Sequence, residues 1–294
     1  MEPAVAGHIP VLLAEALQWL AVRPEGVYVD ATAGLGGHTA AIAQRLTTGL
    51  VVATDCDAEA LEQAKQATFA WRERIRYRQC WFSTLPAALA EMGITQVDGL
   101  LADLGPNRAQ LTVPERGFSF AADGPLDMRL DRSQPLTAAA LVNSLSWKEL
   151  AALFCQQGEE RRHIAETIAR AIVRARPLRT TRELARLIEE VAPRRGRLHP
   201  GTRVFMALRR AVNREAEELE ALLAALPGLI KPGGRVVMIS FMSLEDRQVK
   251  QAFHRWVREG RAVRLLKHVV RPSEQEVRLN PASRSGRLRV VQFR

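Results

Sequence analysis

Three short apolar runs near the start of the chain each carry an aspartate at the carboxyl end: Val27-Tyr-Val-Asp30, Leu50-Val-Val-Ala-Thr-Asp55 and Val97-Asp-Gly-Leu-Leu-Ala-Asp103-Leu104. Each has the length of a buried strand. The alanine-rich stretches at residues 39–46 and 58–68 read as helices, and residues 75–80 alternate as a further strand. Apolar strands alternating with helices imply a parallel sheet covered on both faces. In such a sheet ligands bind outside the carboxyl ends of the strands. Asp30, Asp55 and Asp103 are therefore expected to converge on one edge.

The pattern changes after the fourth strand. From residue 109 to 212 there is no convincing buried strand, only loops and helices. Ser146-Trp-Lys-Glu149 and Thr180-Thr-Arg-Glu183 fit the capping box, in which a hydroxyl and a carboxylate satisfy each other's orphan amides. Leu184, Leu187, Ile188 and Val191 form one apolar stripe; Ile164, Ile168, Ala171 and Ile172 form another, which Pro177 limits. Leu219, Leu222, Leu223 and Leu226 mark a later amphipathic helix. Lys231-Pro-Gly-Gly234 reads as a turn before a buried strand at 235–241, with last strands at 262–267 and 288–293. The expected organisation is an α/β domain of residues 1–108 and 213–294, interrupted by an all-helical domain of residues 109–212.

Asp30-Ala-Thr-Ala-Gly34-Leu-Gly36-Gly37-His38 follows the first strand and opens a helix. Glycines here allow a sharp turn and close approach of a ligand. A dinucleotide loop of the GxGxxG type needs glycine at position 39, which is threonine, and this disfavours a nicotinamide oxidoreductase. Asp55, 19 residues beyond Gly36, stands where an acid can bind both hydroxyls of a ribose. Neighbouring Asp57 is better suited to capping the next helix.

The formal charge is +10. Residues 147–214 hold 16 Arg and Lys against 7 Asp and Glu, so nearly all of the excess lies in this stretch. That favours a polyanionic partner, nucleic acid ahead of a membrane surface. Arg194, Arg195 and Arg197, with His199 and Arg203, form the densest cluster and are the expected RNA contacts, since arginine pairs well with phosphate. Other arginines of the insertion read as a solvated face. The three cysteines, Cys56, Cys80 and Cys155, form no CxxC pair; neither a disulfide framework nor a metal site is expected. No stretch approaches the ~20 apolar residues of a membrane span, and no leader pattern opens the chain, so a cytoplasmic location is expected.

Further motifs run along the whole chain: His8-Ile-Pro-Val11, Gly34-Leu-Gly-Gly-His38, Asp103-Leu-Gly105 with Gln110, and Glu115-Arg-Gly-Phe-Ser-Phe120. They continue with Gly124-Pro-Leu-Asp-Met-Arg129, Gly158-Glu-Glu-Arg161, His199-Pro200 with Thr202-Arg203, Ala207-Leu-Arg209 with Ala211-Val-Asn213, Ser243-Leu-Glu-Asp-Arg247 and Asn280-Pro281. In these motifs and their order the chain resembles the small-subunit ribosomal RNA cytosine-N4 methyltransferase (MraW) family. The resemblance implies a class I, Rossmann-like methyltransferase sheet with an inserted helical domain. It also implies transfer of a methyl group from S-adenosyl-L-methionine to the N4 amine of a cytosine in the decoding region of 16S rRNA, with small-subunit RNA or the assembled subunit as partner. Carried over by position, the cofactor contacts fall on Gly36, Gly37, His38, Asp55, Phe82, Asp103 and Gln110. Phe82 could stack beside the adenine; by itself it reads as a core aromatic.

The cytosine amine is a poor nucleophile, because its lone pair is delocalised into the ring. An oxygen that accepts its hydrogen bonds favours the attacking, pyramidal form. Asp103 and the carbonyls of residues 104–106 are the candidates; Asp103 can equally serve the cofactor alone. A base amine must also be unpaired or flipped out to be reached. The chain departs from the family in two places. Gly105-Pro-Asn-Arg-Ala-Gln110 replaces Gly-Val-Ser-Ser-Pro-Gln, and Met242 replaces a histidine. These departures keep a second reading open, a non-catalytic RNA-binding or ribosome assembly factor that retains the fold. A DNA amino-methyltransferase is less well supported, because its Pro-Pro-aromatic signature is absent after the fourth strand.

Overall fold

The structure is a computed structural model that describes residues 9–192 and 199–294. It divides into two compact units: residues 1–105 with 216–294, and residues 106–215. The expected junctions, after 108 and before 213, lie a few residues inside the second unit. β-structure stops at Asp103, Gly105 turns with φ 107°, and Asn107 already caps the next helix. At the far end, buried Asn213 is hydrogen-bonded to Met128 and Leu130, which holds it in the second unit.

The first unit is built on strands β1 (Val27–Asp30), β2 (Leu50–Asp55), β3 (Ile75–Gln79), β4 (Val97–Asp103), β5 (Ile230–Ser240), β6 (Ala262–Arg264) and β7 (Arg287–Phe293). They form one sheet in the order β3-β2-β1-β4-β5-β7-β6. The first five strands run parallel, and β7 runs antiparallel to β5 and β6. Successive side chains alternate faces. Val29, Val52, Leu100 and Val236 pack with helices Leu85–Glu91, Glu215–Leu229 and Ser243–Arg258. Tyr28, Val51, Leu101 and Val237 pack with helices Leu13–Leu20, Gly37–Ala43 and Ala58–Ala67. Both faces are therefore dry, which is why the strands read as continuous apolar runs.

Three local expectations change. β5 starts at Ile230 and not after the Pro-Gly-Gly turn, because Ile230 pairs with Val97 and the register then shifts before Gly99 meets Arg235. The shift needs its glycines: Gly233 sits at φ 81°, and a Cβ on Gly234 would come 2.9 Å from the Asp98 carbonyl. β6 is short because pairing stops after Arg264, and Val270 rejoins the sheet as an isolated bridge to Leu288. Helix Leu13–Leu20 was not anticipated, although Ala16, Leu17 and Leu20 have the spacing of its buried stripe.

The second unit consists of helices and loops with a core of its own, in which Phe154, Ile164, Ile168, Ile172, Leu184, Ile188, Phe205 and Leu208 meet. Both expected capping boxes form. The Ser146 and Thr180 amides donate to Glu149 and Glu183 at 2.7 and 3.1 Å. The Glu149 and Glu183 amides donate back to Ser146 and Thr180. Each cap contributes about 1 kcal/mol. Helix Arg162–Ala175 stops two residues before Pro177. The family motifs of residues 115–129 knit the entry loop of this unit. Gly117 turns with φ 69° where a Cβ would lie 2.1 Å from the Pro125 carbonyl, and a Cβ on Gly124 would lie 1.8 Å from that of Pro114. The Arg116 guanidinium donates to the carbonyls of Arg129 and Leu130, both at 3.0 Å. Among the described residues, no helix is long and apolar enough to cross a membrane.

Candidate active site

The three expected carboxylates stand at the carboxyl ends of β1, β2 and β4. Asp30 is fully buried. Its Oδ2 accepts from the Thr39 hydroxyl at 2.6 Å and its Oδ1 from the Thr32 amide at 3.2 Å. Thr39, which on the sequence only spoke against a dinucleotide loop, thus has a positive role: it solvates a buried charge. Even so, burial pushes Asp30 up to about 6, against the pull of those hydrogen bonds.

Asp55 holds the glycine loop. Its Oδ2 accepts from the Gly34 amide at 2.8 Å and its Oδ1 from the Asp57 amide at 2.9 Å. Burial pushes it, too, up to about 6. A carboxylate has roughly four lone-pair directions, so two backbone bonds leave capacity for a ligand's hydroxyls. Asp57 caps helix Ala58–Ala67 through the amides of Glu59 and Ala60, as its position suggested.

Asp103 is the anomaly. Its amide donates to Thr32 Oγ1 at 2.7 Å, but its carboxylate Oδ1 is buried with no hydrogen-bond partner. Burial, and then the negative charges of Asp30, Glu245 and Glu276, raise its pKa well above the usual carboxylate range. Both glutamates are committed nearby. Glu245 accepts from the Phe241 and Met242 amides at 3.3 Å, and Glu276 from the Leu12 amide at 2.8 Å. His38 is buried, with Nε2 3.2 Å from the Val11 carbonyl, which calls for the proton on Nε2. Its Nδ1 lies 3.9 Å from Asp103 Oδ2, too far for a hydrogen bond. Met242, in the place of the family histidine, immediately precedes helix Ser243–Arg258.

Of the loop's three glycines, Gly36 takes the expected sharp turn, and Gly36 and Gly37 are needed for packing as well. Gly36 has φ 86°, and a Cβ there would lie 3.0 Å from Thr68 Cγ2 and 3.1 Å from Ala64 Cα. A Cβ on Gly37 would lie 2.3 Å from Pro10 Cγ. The missing side chains make room for the protein's own N-terminal segment and helix Ala58–Ala67. Phe82 follows β3 in a short 3₁₀ turn, half-buried against the core, and the Ser83 amide and hydroxyl beside it both bond Glu218.

Gln110, His199 and Arg203 belong to the second unit. Gln110 is buried and closes a capping box with Asn107: its Oε1 accepts from the Asn107 amide at 2.8 Å. Its role toward a cofactor rests on the resemblance alone. His199 lies 2.8 Å from Glu189 Oε1 through Nε2, accepts from the Gly201 amide through Nδ1, and stacks on Phe120 with ring centres 4.3 Å apart. Both ring nitrogens thus serve the local fold, a role the charge pattern did not indicate. Arg203 is partly exposed and reaches Glu160 at 3.4 Å. Arg194, Arg195 and Arg197 lie outside the described residues.

The sheet extends the dinucleotide-binding order 3-2-1-4-5-6 by an antiparallel strand placed between the fifth and sixth. This sheet, with an acidic ligand edge in place of a phosphate-binding one, defines the class of Rossmann-like methyltransferases. Residues 5–294 match the model of the MraW methylase family. Ribosomal RNA small subunit methyltransferase H of Solibacter usitatus is 56% identical over 287 residues, which covers 98% of this chain and 100% of that protein. The proteins of the same name from a Cyanothece species and from Coprothermobacter proteolyticus are 47% and 46% identical, over 97% and 96% of this chain and 94% and 95% of theirs. The chain belongs to the MraW methylase family.

Proposed function

We propose that this chain methylates ribosomal RNA with S-adenosylmethionine, at the N4 amine of a cytosine in the decoding region of 16S rRNA. The observation that carries the cofactor is the sign of the ligand edge. The negative charges of Asp30, Glu245 and Glu276 all act on Asp103 there, and one buried Asp103 oxygen lacks a partner. S-adenosylmethionine brings a sulfonium and an ammonium beside one carboxylate, so net positive charge enters a negative site. A dinucleotide would bring a pyrophosphate and add to the repulsion. The relatives' names support ribosomal RNA as acceptor, and the family motifs support the cytosine amine.

Asp55 would hold the ribose hydroxyls, with Phe82 beside the adenine, and Gly36, Gly37, His38 and Asp103 would complete the cofactor site; the family pattern adds Gln110. Bound there, S-adenosylmethionine supplies an already activated methyl group. The chain's own task is then to hold the acceptor amine in line and to remove a proton from it. With a cation beside it, the Asp103 carboxyl ionises. Oδ1 then accepts a hydrogen bond from the amine, favours its pyramidal form, and receives the proton released as the new N–C bond forms. The second unit, with Arg194, Arg195, Arg197 and Arg203, would bind phosphates of the RNA, while His199, both of whose ring nitrogens are taken, would keep its structural role beside Phe120. A cytoplasmic location fits such a substrate.

Mass spectrometry of small-subunit RNA from cells with and without this protein tests the reading. One cytosine is expected to lose an N4-methyl; identical RNA from both would overturn it. Asp103→Asn is expected to weaken cofactor affinity, measured by calorimetry, about tenfold, and to lower turnover at saturating cofactor on the order of a hundredfold or more. Full turnover at saturating cofactor would sink the acceptor role. Weakened affinity with full turnover would leave Asp103 to the cofactor alone.

A further inference from the structure

The inserted unit is not the chain's only basic concentration. Residues 243–271 hold eight Arg and Lys against three Asp and Glu. Two of the three acids are consumed locally: Glu245 is buried on the Phe241 and Met242 amides, and Asp246 grips Arg289 with two bonds of 2.7 and 3.0 Å. Three elements of the first unit, helix Ser243–Arg258, the β6 segment with the loop after it, and β7, then meet around a small cavity. Its rim carries Lys250, His254, Arg264, Lys267, His268 and Arg289 over an apolar floor that includes Phe253 and Val290.

Among the described residues, no carboxylate pairs with Lys250, Arg264 or Lys267, and all three are exposed. Their fields overlap. After burial, Lys250, Arg264 and Arg289 are what hold the His254 imidazole below its ordinary pKa. Cations crowded in this way repel one another, and an anion among them relieves the repulsion. The cavity, at about 30 Å³, is far smaller than a ligand pocket, so no base or sugar is buried in it. What fits is an anion lying across the rim.

We propose that this surface is a second RNA-backbone contact, which takes a phosphodiester of the same substrate outside the inserted unit. This rests on the RNA-substrate reading above. Lys250 and His254, one helical turn apart, face one side of the phosphate. Arg264, Lys267 and His268 face the other, and Arg289 is fixed beneath by Asp246. Such contacts position an RNA without reading its sequence.

The test is fluorescence anisotropy of a labelled decoding-region RNA hairpin across a salt series, with the full chain. The variant Lys250→Gln/Arg264→Gln/Lys267→Gln is compared with a charge-matched control, Arg45→Gln/Arg72→Gln/Arg278→Gln, whose sites are exposed elsewhere on the first unit. Losing contacts to two or three phosphates flattens the slope of log affinity against log salt by about 2 and weakens binding about tenfold or more at low salt. The control keeps the native slope, and both variants keep cofactor affinity. A native slope in the rim variant overturns this surface while leaving the RNA reading intact. Equal loss in the control also overturns it, because long-range charge then explains the effect. If the unmodified chain binds no RNA, both readings fall. Inorganic phosphate is titrated against the His254 and His268 imidazole signals by NMR. If it binds while the RNA slope stays native in the rim variant, the surface is a small-anion site and the backbone contact is refuted.

Discussion

Asp30→Asn isolates the cost of burying a carboxylate at the ligand edge. Asp30 has no exposure to solvent, and its carboxyl is raised from 3.8 to about 6. A folded-state pKa above the unfolded one means that the native chain binds the proton more tightly. Stability is therefore highest with the group protonated and falls as pH rises from about 3.8 through about 6. One pKa unit corresponds to about 1.4 kcal/mol, so the full loss approaches about 3 kcal/mol, of which about 2 falls between about pH 4.5 and 7.5. Asparagine cannot ionise, and its carbonyl can still accept from Thr39. The variant's stability relative to the parent should therefore improve by about 2 kcal/mol across that interval, whatever constant offset the amide introduces. Asp30 also raises Asp55 and Asp103 through its charge, so its removal relaxes them in the same direction. Guanidinium unfolding followed by tryptophan fluorescence at both pH values measures this. A difference between parent and variant that does not change with pH would refute a strained, ionised Asp30 and the reading of this edge as a site short of positive charge.

Gly37→Ala sets a methyl 2.3 Å from Pro10 Cγ. It should cost about 1–3 kcal/mol and raise hydrogen exchange at residues 9–12; native exchange there would mean that the N-terminal segment does not pack on the loop. Asn213→Ala removes bonds of 2.7 Å to the Met128 carbonyl, 2.8 Å to the Arg209 carbonyl and 2.7 Å from the Leu130 amide, all linked through a fully buried side chain. A loss of about 2–4 kcal/mol is expected, with proteolysis beginning near residues 128–134, and an unchanged melting curve would contradict it.

Strands β1, β2 and β4 were legible because burial on both faces writes itself as contiguous apolar runs, and edge strand β3 because its residues alternate; all four lie within a residue of where the pattern put them. The capping boxes at Ser146 and Thr180 were legible for a similar reason: donor and acceptor lie three residues apart. Asp57 and Asp55 could be told apart by position, one opening a helix and the other ending a strand. What escaped depends on partners distant in sequence. Pro10 fills the space beside Gly37, Ile230 is drawn into β5 by Val97, and Asn213 is tied to a loop some 80 residues away. His199 and Gln110 read as ligand residues on the sequence, and the structure adds local bonds to Glu189, Gly201 and Asn107 that charge and motif did not reveal.

By itself the sequence determined that three strands would each end in an acid, because strand length, apolar pattern and chain order are local properties. Only the tertiary structure decided what those acids became. Asp30 is buried and solvated by Thr39, Asp55 is spent partly on the Gly34 and Asp57 amides, and Asp103 keeps one buried oxygen without a partner. The physical reason is that a carboxylate's charge state and free lone pairs depend on which groups surround it in space, and those arrive from the loop after β1, helix Gly37–Ala43, the turn after β2 and, as Glu245 and Glu276, the last third of the chain.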